Sequence, residues 1–411
     1  MISLRLRLLI GVVIFMLMFG GGMSTAAADD EDPVVFLEAG EAYTFGGQIA
    51  FWAKYDFKVS PDSVVIFYKS TQDTRTSHHE ALVSGSDVSF TSDLKLEPLI
   101  PFAEIEYWFV VRLSDGKEYT SPKSQFIYND NRFDWRSAES VPFRVYWYDG
   151  DAVFGQTVLD AAQSGLKRIQ DFLEIKETGQ VEIYVYASGA DMQSTYLLGG
   201  IEMIAGHANP ELGVMVVSLP PGPDQRFEIE RQVPHELTHI LLYRLLGNRY
   251  GNLPVWLNEG LASMSESVTN PDYALILDDA YLNHKLLSIS SLCSRFPGDA
   301  AGFYQAYAQS ESFTRFLFRQ YGATGLSALM TNYADGMDCE RGIQTALGES
   351  LAHLDSQWQE DIFGKQQNTV GLVMPLPWIV LLVIVLLVPM LLAVFGRRHR
   401  LENPAPGDQR V

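Results

Sequence analysis

The stretch that decides the reading is Val233-Pro234-His235-Glu236-Leu237-Thr238-His239-Ile240-Leu241-Leu242. It lies in a run from about Phe227 to Leu246 that ends on Gly247-Asn248, the pattern of a long helix with its stop signal. Residues four apart on a helix differ in azimuth by about 40°, so His235 and His239 project from one face and can share a tetrahedral metal ion. Glu236 sits one step round the helix. It is too close in sequence to be a further ligand, yet placed to reach a water at such an ion.

A catalytic zinc site needs a third protein ligand and an open position. Downstream, Pro254-Val255-Trp256-Leu257-Asn258-Glu259-Gly260-Leu261-Ala262-Ser263 reads as a proline-started helix carrying a carboxylate. With these two motifs the chain resembles the gluzincin zinc metallopeptidases, the group that includes thermolysin and aminopeptidase N. Within that group the resemblance is to the peptidase MA-like families of bacterial membrane-anchored proteins. It covers residues 143 to 362 and rests on the two motifs. The resemblance implies one Zn2+ per chain held by His235, His239 and Glu259, with Glu236 as general base toward a zinc-activated water. It also implies a tyrosine from the later helices at the tetrahedral intermediate. Tyr307 is the candidate, with Tyr304 as a rival and core packing as the alternative. Gluzincins carry an aspartate four residues beyond the ligand glutamate, where this chain has Ser263. The serine hydroxyl is then expected to accept a histidine N–H without supplying a negative charge.

Working outward, Phe143 to Tyr148 reads as a strand, Phe154 to Leu173 as an amphipathic helix, and Val181 to Tyr186 and Gly213 to Leu219 as further strands. The last is expected to hold an extended peptide by edge pairing. From Pro254 onward nearly everything reads as helix. The expectation for residues 142–363 is therefore an α+β zincin-like metallopeptidase domain with a mostly helical C-terminal lobe.

Residues 33–128 show short alternating, aromatic-rich runs separated by turns such as Ser114-Asp115-Gly116-Lys117, which predicts an all-β sandwich of immunoglobulin or fibronectin III type. Residues 129–141 read as a linker. Trp52, Tyr107 and Trp108 are either a carbohydrate-binding stripe or sandwich core. His78-His79 lacks a third ligand nearby, Gly199-Gly200-Ile201-Glu202-Met203 is a faint match to an amine-capturing segment of aminopeptidases, and His207 is a candidate for the cleft border.

Both ends read as membrane-directed. Residues 1–28 have the form of a signal peptide, residues 372–395 form an uncharged stretch long enough for one transmembrane helix, and residues 396–411, opening on Gly396-Arg397-Arg398-His399-Arg400, read as a cytoplasmic tail. The expected topology is a single-pass cell-membrane protein with its N-terminal ectodomain outside. Cys293 and Cys339 either pair or remain buried thiols. With 30 Lys and Arg against 50 Asp and Glu, the formal charge is −20, which argues against nucleic acid as a partner. The functional expectation is a membrane-anchored extracytoplasmic zinc metallopeptidase acting on a peptide or protein substrate. The alternatives are a catalytically inactive surface module that keeps the fold and a zinc amide hydrolase acting on cell-wall material.

Overall fold

The computed structural model describes residues 32–176, 178–195, 206–373, 378 and 380–389. The chain splits into two compact units, Met1–Asn129 and Asp130–Val411.

Among the described residues the first unit contains nine strands: β1 (Val34–Tyr43), β2 (Gln48–Phe57), β3 (Ser63–Ser70), β4 (Ser77–Glu80), β5 (Leu82–Ser84), β6 (Asp87–Asp93), β7 (Glu104–Arg112), β8 (Glu118–Thr120) and β9 (Ser124–Ile127). They form two antiparallel sheets, one in the order β1-β2-β6-β5 and the other β4-β3-β7-β8 with β9 also on β7. β2, β3 and β7 alternate buried with more exposed residues, the period of two that a half-buried strand imposes. The inner rings meet between the sheets, with Phe51 lying 5.1 Å from Tyr68 and 4.9 Å from Tyr107. Tyr107 is thus core, and its hydroxyl donates to Glu41. Trp108 has both faces covered, one by its register partner Phe67 and the other by Lys123 Nζ, 4.6 Å from the ring. Trp52 lies against Gly40, whose missing Cβ makes room for the indole. The three aromatics therefore do not form one stripe. His78 stacks on Phe67, and His79 Nε2 is 2.9 Å from Glu97 Oε2, which also accepts from the Tyr68 hydroxyl.

In the second unit, β10 (Arg136–Ser140), β11 (Phe143–Trp147), β12 (Val181–Tyr186), β13 (Gly206–Asn209) and β14 (Val214–Ser218) form one sheet in the order β10-β11-β12-β14-β13. The three middle strands run parallel, and both edge strands are antiparallel to their neighbours. Two expectations change here. Part of the stretch read as a linker is β10, whose mostly exposed residues read as loop because an edge strand buries little. The strand expected at an edge, Gly213 to Leu219, is interior: all five residues of β14 are buried, and among the described residues the edge is the short, polar β13.

The helices are α1 (Ala152–Gln170), α2 (Gly189–Met192), α3 (Gln225–Leu246), α4 (Val255–Ser265), α5 (Asp272–Leu282), α6 (Ala300–Ala334), α7 (Cys339–Leu347) and α8 (Leu351–Val373). Asp151 caps α1 by accepting from Phe154 N–H, and Gly155 lets that helix close onto Trp147. α3 packs on α1 where a Cβ on Gly165 would stand 3.0 Å from Pro234 Cβ. Behind it the fully buried Trp256, Phe313 and Trp358 join α4, α6 and α8, the ring of Phe313 lying 5.1 Å from Trp256 and 6.1 Å from Trp358. α6 kinks at Gly322, whose φ of 63° suits a residue without Cβ. Cys293 and Cys339 form a disulfide.

The fold class expected from sequence, which closed on a membrane helix, is corrected. Among the described residues no helix is long and apolar enough to cross a membrane. α8 enters the stretch 372–395 carrying His353, Asp355, Glu360 and Asp361, and ends at Val373. Residues 374–377, 379 and 390–411 lie outside the described residues, as do residues 1–28 expected as a signal peptide. The single-pass topology, the membrane as a partner and the cell-membrane localisation are withdrawn on this finding.

Candidate metal centre

α3 and α4 bring His235, His239 and Glu259 together, with one ligand atom of each within 4.8 Å of the others. Glu259 Oε2 lies 3.4 Å from His235 Nε2 and 3.7 Å from His239 Nε2. Both imidazoles are turned by partners on their other nitrogen. His235 Nδ1 is 3.0 Å from Glu266 Oε1. His239 Nδ1 is 3.2 Å from Asn258 Oδ1 and from the Tyr250 hydroxyl, and Asn258 Nδ2 in turn donates to Tyr250. An Nδ1–H directed outward leaves the Nε2 lone pair on the inside, the protonation state a metal ligand needs.

Three of these partners were not singled out from sequence: Glu266, Asn258 and Tyr250. Ser263, expected to hold a histidine, is buried with its hydroxyl unpartnered, and Glu266 holds the imidazole instead. Pro234 explains how Glu266 arrives. Proline lacks an N–H, so the carbonyl of Glu230 one turn earlier has no intrahelical donor. The backbone N–H of Ser267 fills it at 2.9 Å, drawing the segment just past α4 against α3. Thr238, an unspecified position of the motif, reinforces the join: its hydroxyl donates to Ser265 Oγ, which donates to Pro234 O.

Charge and burial set the titration of the site. Burial raises Glu259, but His239 and His235 outweigh it and carry the carboxyl down to about 2. Burial lowers His235, and the carboxylates of Glu259 and Glu266 reverse this to about 10. Glu236 is buried and its carboxyl is raised, chiefly by desolvation. Gly206 on β13 permits that burial, since a Cβ there would stand 2.9 Å from Glu236 Oε1. The phenol of Tyr307 is held well above its ordinary range, first by burial and then by the charge of Glu259. Its ring lies 6.0 Å from that of His235, wedged against Phe296 and Phe303. Tyr304 is half exposed at the rim. His235, Glu236, Gly206, Phe303, Tyr304 and Tyr307 border a cleft of about 90 Å³.

The donor set fits a divalent cation. Glu259 Oε2 is buried and makes no hydrogen bond, and it faces two imidazole nitrogens from which it is too far for a good one. Two imidazoles and one carboxylate form the ligand combination of a three-ligand catalytic zinc site. The remaining candidates fall elsewhere. His207 is on β13, 3.5 Å from Thr195 Oγ1, and burial depresses its pKa to about 4. Gly199 to Met203 lie outside the described residues.

Residues 161–364 match the family model of the Peptidase MA superfamily. No curated protein matches the chain. Among solved structures, an aminopeptidase N family protein from Idiomarina loihiensis is similar at 8% identity and a TM-score of 0.30, covering 80% of this chain and 71% of that one. A polysaccharide deacetylase from Bacillus cereus is similar at 15% identity and a TM-score of 0.21, covering 39% of this chain and 54% of that one. Likenesses this low carry no weight for function; the family match and the geometry of the site do.

Proposed function

From a chain whose second unit matches the Peptidase MA superfamily, we propose a zinc-dependent peptidase that hydrolyses peptide bonds with Glu236 as general base. The observation that supports it is the convergence of His235, His239 and Glu259, with Glu259 Oε2 buried and without a hydrogen bond while the outward nitrogens are held. His235 Nε2, His239 Nε2 and Glu259 would hold the ion. When bound, Zn2+ supplies Lewis-acid polarisation of the scissile carbonyl and acidifies water.

The protein's own groups do the rest. Glu236, whose carboxyl burial makes more basic, takes a proton from the attacking water and returns it to the departing nitrogen, a role worth about 10² to 10⁴ in rate. Tyr307 stays protonated and donates its O–H to the oxygen that gains charge. β13, the sheet edge beside Glu236, pairs with an extended substrate backbone.

Metal analysis by mass spectrometry and a quenched-peptide library test the proposal together. The wild type is expected to retain one zinc and cleave peptides. Glu259→Ala is expected to lose the zinc, and Glu236→Gln to keep it while losing turnover. Full zinc retention in Glu259→Ala overturns the ligand set, and undiminished turnover in Glu236→Gln overturns the base.

A further inference from the structure

One turn before His235 on α3, Arg231 borders the same cleft. Its side chain is about four-fifths buried. A guanidinium carries five N–H donors. Among the described residues Arg231 makes one hydrogen bond, from Nη2 to Glu228 Oε2 at 2.6 Å, and its Nε is buried with no acceptor. Two carboxylates face it: Glu228 holds its Nη2, and Glu266 keeps one buried oxygen, Oε2, without a hydrogen bond. Glu228 Oε2 also accepts from Gln232 Nε2 at 2.8 Å, and Glu266 Oε1 takes His235 Nδ1. Apart from His235, Arg231 is the cation among the described residues lining this cleft, which Glu236, Glu266, Tyr304 and Tyr307 also line.

We propose that Arg231 is a specificity residue that selects substrates presenting a carboxylate to this cleft. The inference deepens the peptidase reading and rests on it for the location of the scissile bond. A planar guanidinium with unspent donors binds a carboxylate by two parallel hydrogen bonds, which a carboxamide of the same shape does not match in charge or donor count. The cleft volume of about 90 Å³ admits a small group. The carboxylate is therefore either the C-terminal carboxylate of a peptide cut near its end or a short acidic side chain.

The test measures binding without turnover. The zinc-loaded full chain carrying Glu236→Gln is titrated with acetyl-tetra-alanine as free acid and as amide. It is also titrated with an amidated acetyl-pentapeptide of alanines bearing Glu or Gln at its centre. One acid is expected to bind about ten- to a hundredfold tighter than its amide partner, and which one identifies the source of the carboxylate. Adding Arg231→Gln is expected to abolish that difference, and Arg231→Lys to restore part of it. Equal binding of acids and amides overturns the proposal, as does a preference that survives Arg231→Gln. Thermal unfolding of both variants shows that they are folded. Hydrolysis by the wild type is scored separately: acid preference without hydrolysis sinks the peptidase reading and keeps Arg231, while hydrolysis without acid preference does the reverse.

Discussion

At Ser263 and Glu266 the difference between spacing and structure is one carboxylate. Counting four residues on from Glu259 leads to Ser263, which is buried and whose hydroxyl makes no hydrogen bond to either imidazole. Glu266 lies beyond the helix end and reaches His235 through a backbone bond from Ser267 to Glu230, a long-range contact that no local pattern encodes. Glu266→Ala is therefore expected to weaken zinc binding about 10- to 100-fold in competition with a chelating dye, with Ser263→Ala close to wild type. The pairing of His235 and His239 was legible because helical periodicity alone brings them onto one face. His207 offers a second residue-level test. Its pKa falls from the ordinary 6.5 to about 4 on folding, so the unfolded chain binds the proton more readily. The contribution to stability is complete above pH 6.5 and is lost as pH drops toward 4, to a limit of about 3 kcal/mol. Urea unfolding across that range is expected to show a shallower acid slope in His207→Gln.

Among the elements, α4 and α6 meet most closely at Gly260, where a Cβ would collide with Thr314 Oγ1 and the Ser310 carbonyl. Gly260→Ala is expected to destabilise the second unit by about 1–3 kcal/mol through overpacking, read as a lower urea midpoint with unchanged slope. β14 has the apolar run of an interior strand and was recognisable as a strand. β13, Gly206–Asn209, is four residues of mixed polarity between turns. Nothing in its composition distinguishes an edge strand from a loop, so the neighbour of Glu236 emerges only from the sheet order.

For the whole molecule, the boundary at Asn129 separates a unit built from two antiparallel sheets from one built around a mixed sheet and helices. The helix past residue 372 was misjudged because an uncharged run satisfies a length rule whether or not a single spanning helix forms. Calorimetry is expected to resolve two unfolding transitions, and chelation of zinc to lower the midpoint of one of them while leaving the other in place, since a ligand stabilises only the unit that binds it. Movement of both transitions would mean the units unfold as one.

Pro234 matters through a hydrogen atom it does not have. Any other amino acid there would bring a donor competing with Ser267 for the Glu230 carbonyl, and each win by that donor would unlatch the segment that steers the first histidine. Replacement by alanine would make a better isolated helix and a looser pair of imidazoles. An imino acid inside a helix, ordinarily a flaw, is here the clasp that couples completion of α3 to the readiness of its ligands.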